Sequence, residues 1–127
     1  MPGTGWRIRP CHTRLSKAWR LFPQHTAWFM ERTPHGYYEA DVIRREMQAA
    51  GWAKCGIEVV TLTGHATSAL SAAVALCQGT PMRGEIEGLG PDALARGTAA
   101  AAESIAARFG EGPFEAPIQA LVAEAAR

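Results

Sequence analysis

The stretch MQAAGWAKCGIEVVTLTG, from Met47 to Gly64, decides how this chain is read. It runs as a helix end, a glycine stop, a short loop and a strand. Upstream, Val42, Ile43, Met47 and Ala50 recur at helical spacing within Glu39–Ala50, while Arg44, Arg45, Glu46 and Gln48 fall on the other side. Asp41 in the first turn suits the positive end of a helix. Gly51 is a natural left-handed terminator. GIEVVTL, Gly56–Leu62, is then β-branched and of strand length. Ile57 and Val59 fall on one face, Val60 and Leu62 on the other. A strand apolar on both faces predicts cover on both sides, as in α/β layers.

Downstream, HATSALSAAVALCQGTP predicts a helix capped by Thr67 or Ser68, running to about Cys77 and ended by Gly79. TPMRGEIEG repeats the grammar, with Thr80 as cap and Pro81 at the first helical position. In GPDALARGTAAAAESIAARFG the residues Leu94, Thr98, Ala101, Ile105 and Phe109 form one stripe of a longer helix that Gly110 closes. PIQALVAEA reads as a second strand, with Ile118, Ala120 and Val122 on one face; its Ala and Glu content also suits a terminal helix. The strand count is two, or three if WRIRP is extended. A two-stranded sheet is marginal in water unless helices pack on it.

Toward the N-terminus, Leu15, Ala18, Trp19 and Phe22 lie at helical spacing in His12–Phe22, and Pro23 stops that helix. PQHTAWFMERTPHGYY, without a period and with two prolines, reads as a packed loop. Five of the 13 basic residues precede Glu31, the first acid. Such a start fits a transit peptide, a patch for an acidic partner or, most simply, a solvated helix face. At 127 residues, 47% hydrophobic and net charge +1, the chain has the size and balance of one small domain. That balance argues against a nucleic-acid-binding protein. No apolar run reaches a membrane span or a signal-peptide core. Three cysteines without paired spacing point to reduced thiols and a cytoplasmic protein.

Chemical motifs are sparse. PGTGW lacks the preceding strand and following helix that a phosphate cradle needs. The four histidines and three cysteines show no zinc spacing. There is no nucleophile elbow, and Cys77 on an Ala/Leu face reads as a small core residue. RREMQAAGW is flanked by acids and has no second helix at turn distance, which disfavours a DNA-reading helix. Two loops carry more specific chemistry. ERTPHGYY sets a His and two Tyr at the mouth of a helix, and LCQGTPMRGE sets Gln78, Gly79 and Thr80 between two helix ends. Free amides at helix starts suit polar ligands; turn and cap chemistry is the simpler account.

FPQHTAWFMERTPHGYYEADVIRREMQAAGWAKCGIEVVTLTGHATSAL and ALCQGTPMRGEIEGLGPDALARGTAAAAESIAARFGEGP together resemble the C-terminal half of class I S-adenosylmethionine-dependent methyltransferases of the ubiquinone/menaquinone-biosynthesis-like, methyltransferase type 11-like kind. RTPHGY, AAGW with IEVVTL, and LCQGTP carry the resemblance, which spans residues 22–127 and leaves 1–21 as an atypical basic segment of a single partial domain. It implies an α/β fold: the helix-rich C-terminal portion of a Rossmann-like fold with two or three strands, lacking the N-terminal cofactor-binding half. Gly56–Leu62 would be the sixth strand, Pro117–Ala123 the seventh, antiparallel to its neighbours, and Ser68–Phe109 the helical segment between them. S-adenosylmethionine is the implied cofactor. Its Gly-x-Gly-x-Gly loop and ribose-binding acid have no counterpart here, so binding by this chain alone is not expected. The resemblance makes Thr33, His35, Tyr37, Gln78 and Thr80 candidates for an acceptor pocket. It implies a methyltransferase-family protein acting on a small molecule in full-length relatives and inactive on its own. The alternative is an interaction module, or half of a split enzyme, that completes its sheet with a partner chain or by self-association at exposed strand edges, with no nucleic acid or membrane involved.

Overall fold

A computed structural model of the chain describes residues 21–22, 29–33 and 36–126. In order it contains α1 (Phe29–Arg32), α2 (Ala40–Ala49), β1 (Lys54–Ala66), α3 (Ala69–Gln78), α4 (Met82–Glu87), α5 (Ala93–Phe109) and β2 (Phe114–Ala126). This is a mixed α/β arrangement with one two-stranded antiparallel sheet. The expected N-terminal helix and the extended reading of WRIRP lie outside the described residues, apart from Leu21 and Phe22.

The helix punctuation follows local chemistry. Gly51 follows α2 with φ of +92°, a conformation that side chains with a Cβ adopt poorly. Ser68 caps α3: its hydroxyl accepts from the Ser71 amide at 3.0 Å, while Ser71 Oγ accepts from the Ser68 amide at 3.0 Å. Gly79 ends α3 for a different reason. Its φ is an ordinary −92°, but a Cβ there would lie 2.7 Å from the Ala75 carbonyl oxygen. At α4, Pro81 has helical backbone angles, φ −59° and ψ −13°, and Thr80 Oγ1 accepts from the Met82 amide at 3.3 Å, the cap chemistry expected of the Thr80–Pro81 pair.

The core is built from α3, α4 and α5. Ala69, Ala73 and Cys77 repeat every fourth residue along α3 and are buried; Ala93, Gly97, Ala101 and Ile105 do the same along α5. Small residues on facing stripes let the two helices approach closely. Met82 and Ile86 of α4 supply the large, fully buried side chains, and Phe22 closes the cluster. The stripe expected in α5 is present: Thr98, Ala101 and Ile105 are buried, with Leu94 and Phe109 half-buried.

Three expectations are corrected. The loop read over residues 23–38 contains α1, a single helical turn. Its first amide donates to Glu85 Oε2 at 2.8 Å, and Arg32 pairs with the other oxygen of that carboxylate. A cap supplied by a residue so distant in sequence leaves no local signature. The strands are also longer than Gly56–Leu62 and Pro117–Ala123, at 13 residues each. Their ladder pairs Lys54 with Ala126 at one end and Ala66 with Phe114 at the other. Gly64 permits the extension, because a Cβ there would stand 3.1 Å from Ile118 Cγ2.

Third, among the described residues the sheet is not covered on both faces along its length. Such a ribbon is about 40 Å long, whereas a ten-residue helix spans about 15 Å. At the Lys54 end, α2 packs on the strands, and Cys55, Ile57 and Leu121 are half-buried on one face. At the Ala66 end the opposite face is covered, with Gly64, Ala66, Phe114 and Ala116 half-buried. There Phe114 stacks on Phe109 with ring centroids 4.6 Å apart. Between these anchors Val59, Leu62, Ile118 and Val122 remain exposed.

Candidate functional site

The two chemically specific loops meet where Arg32 of the first pairs with the Glu85 carboxylate of the second, but among the described residues their candidates are not brought together. Thr33 is exposed just after α1, and its amide donates to the Phe29 carbonyl at 2.9 Å. His35 lies outside the described residues. Tyr37 is exposed and its hydroxyl donates to the Glu46 carboxylate on α2. That hydrogen bond raises the phenol above its ordinary pKa.

Gln78 and Thr80 belong to the α3–α4 junction. Gln78 Nε2 donates to Thr98 Oγ1 at 3.2 Å, and Thr98 Oγ1 donates onward to the Leu94 carbonyl at 2.7 Å. Thr80 Oγ1 donates to the Leu76 carbonyl at 2.7 Å. Each group is engaged in closing a helix end or a helix contact. Among the described residues, no hydrogen bond joins the first loop's candidates to the second's.

Thr98 was legible as a stripe position but not as a polar anchor. Threonine in a helix often bonds back to the carbonyl four residues earlier, and that habit was the available signal. Beside it, Cys77 is fully buried, and desolvation pushes its thiol pKa up while a hydrogen bond to Thr98 opposes the shift. A buried thiol with a raised pKa is a poor nucleophile.

The turn from β1 into α3 is where a strand-to-helix loop would hold a ligand. There the Ser68 and Ser71 amides are taken by the reciprocal cap, and the Ala69 amide donates to the Glu111 carbonyl at 3.1 Å. Among the described residues no three His, Cys, Asp or Glu side chains gather to hold a metal ion, and no helix is long and apolar enough to cross a membrane.

What stands out instead is the ribbon. One face of its Ala66 half is polar: His65 Nδ1 lies 3.2 Å from Glu115 Oε1, and Gln119 Nε2 donates to Thr61 Oγ1 at 3.0 Å. The other face carries Leu62 directly opposite Ile118, with Val122 further along. Among the described residues neither strand has a second neighbour, and both outer edges are unpaired there. The edges differ. On β1, Lys54, Glu58 and His65 spread charged or titratable groups along the strand. On β2, Ile118–Ala123 contains neither charge nor proline and is bounded by Pro117 and Glu124. Charges and prolines are how natural edges resist pairing, so the middle of β2 is the unguarded stretch. The sequence shows its composition; that it forms an edge becomes visible only from the pairing. Compared with family models, curated proteins and solved structures, the chain matches none of them.

Proposed function

We propose that this chain works as a sheet-completing module, related to the C-terminal region of small-molecule methyltransferases, that transfers no methyl group by itself. The observation that carries the reading is a pair of 13-residue strands whose outer edges meet no further strand among the described residues and whose middle exposes Val59, Leu62, Ile118 and Val122. Open strand edges recruit further strands through main-chain hydrogen bonds, with side chains of one face giving selectivity. The antiparallel pairing of two strands around a helical segment is also the order that the methyltransferase resemblance implies, which supports the Rossmann-like assignment.

Methyl transfer requires donor and acceptor to be held in line. In this reading the loops bearing Thr33, His35, Tyr37, Gln78 and Thr80 shape an acceptor pocket only when another polypeptide segment supplies the cofactor side. The free thiols of Cys55 and Cys77 suit a reducing, cytoplasmic setting. Calorimetric titration of S-adenosylmethionine into the isolated chain tests the first half: no binding heat is expected, and tight binding would overturn it. Amide hydrogen exchange at high dilution tests the second. Alternate amides along β1 and β2 should exchange freely while those of the ladder are protected. Protection of both sets at dilution means that the chain covers its own edges, which sinks the reading.

A further inference from the structure

The register of the ladder says which strand the open edge accepts. We propose that it is β2 of a second copy of this chain, joined antiparallel about a two-fold axis through Ala120. The inference rests on the open-edge reading above and adds the identity of the occupant.

Three features point to it. Ala120 is the midpoint of Phe114–Ala126, so a two-fold at that residue overlaps the whole strand, pairing Phe114 with Ala126 of the second copy. The same register sets Ile118 opposite Val122 of the second copy, and the reverse. Both residues are exposed in the single chain and lie on the same face. A two-fold perpendicular to the sheet keeps that face common to both copies. The exposed apolar tract, with Leu62 and Val60 beside it, therefore becomes continuous across four strands in the order β1–β2–β2–β1. Finally, the charges fall well: Glu115 meets Ala125 and Glu124 meets Ala116, so no acid faces an acid across the joint.

The outer edge of β1 lacks this self-complementarity. A full-length two-fold there passes through Val60 and sets Leu62 against Glu58 and Ile57 against Thr63. Pairing at β2 does carry one deficit. Pro117 has no amide to offer, so its rung with Ala123 is short of a hydrogen bond on both sides if its nitrogen faces outward, as prolines in strands usually do. One strand edge with a narrow apolar tract also buries less than the ~1,200 Å² of a standard interface. The dimer is accordingly weak and concentration-dependent.

The test exploits the axis. Ala120→Lys sets two lysines opposite each other, and Ala120→Glu sets two glutamates opposite each other; Ala120 is exposed in the single chain, so the fold tolerates both. Sedimentation of the wild type from low micromolar to submillimolar concentration should show a monomer–dimer equilibrium. Each variant alone should associate about tenfold more weakly or worse, which a like-charge penalty of about 1 kcal/mol plus desolvation produces. An equimolar mixture of the two should restore the dimer. Two results overturn the proposal: a wild type that stays monomeric throughout, or variants that dimerise as the wild type does. If the monomer is found with freely exchanging edge amides, the second copy is wrong while the open-edge reading stands. If those amides are protected at dilution, both fall.

Discussion

Ile86→Ala probes the centre of the helical core, where the cost can be worked from the structure. Ile86 has no exposed surface, and its Cγ2 lies 3.5 Å from where a Cβ on Gly97 would stand. The substitution removes three carbons. At about 0.8 kcal/mol per buried methylene, transfer alone accounts for roughly 2.4 kcal/mol. Gly97, which faces it, has no side chain to swing into the space, so a cavity remains and raises the total to about 3–4 kcal/mol. Domains of this size have about 5–15 kcal/mol in hand. The loss should appear as a large drop in urea midpoint at constant slope. Leu62→Ala in the same assay at low protein concentration is the contrast. Leu62 is 62% exposed, and its truncation should cost less than about 0.5 kcal/mol. A cost below about 1 kcal/mol for Ile86→Ala, or a cost for Leu62→Ala that matches it, would refute the division between a helical core and an uncovered ribbon.

The two helix-ending glycines should respond differently to substitution. Gly51→Ala meets open space but an unfavourable φ, costing about 1 kcal/mol, with Asn better tolerated than Ala. Gly79→Ala meets the Ala75 carbonyl, costing about 1–3 kcal/mol, and Asn should be no improvement; thermal melts of the four variants decide this. Ser68→Ala removes the reciprocal cap of α3 and should lower stability by about 1 kcal/mol in urea titration, an effect Ser68→Thr largely avoids. Cys77 sets a pH dependence. Its folded thiol pKa lies above the unfolded one, so both states hold the proton at neutral pH, and only the unfolded thiol ionises as pH rises past its own pKa. Stability should then fall by up to about 1.4 kcal/mol per pH unit until the folded thiol titrates too, and a Cys77→Ala variant should lack that component.

Much of the helical architecture was legible from short-range rules. The stripe through Thr98, Ala101 and Ile105 is a period that one helix imposes by itself, and Ser68 and Gly51 are caps whose chemistry is local. The first strand was legible in kind, because its β-branched run carries its own preference, whereas the Ala and Glu of the second also suited a terminal helix and only its pairing with β1 decides it. The parts that escaped depend on distant partners. Glu85 caps α1 across the core, so residues 29–32 show no helical grammar. The ends of β1 at Gly64 and His65 are strand only because Ala116 and Glu115 lie opposite. The apolar residues on both faces of β1 did signal burial, and each face is indeed covered, but at opposite ends. Alternation reports that a face is apolar, not how far along it a neighbour reaches. For the candidate site, residue type was informative and location was not: Gln78 and Thr80 are spent on Thr98 and Leu76, and Tyr37 on Glu46.

The rung that joins Ala66 to Phe114 has a topological consequence. The chain leaves the ladder there, builds α3, α4 and α5, and returns to the same rung, with the Ala69 amide stitched to the Glu111 carbonyl beside it. The sheet is thus a hairpin whose turn is a helical bundle. Closing so long a loop before any rung forms is entropically unfavourable. Once the bundle has folded, its two ends stand side by side and the strands face each other as they would across a tight turn. Pairing should therefore start at Phe114 and close toward Ala126, and the far end, which α2 packs against, should be the first to fray.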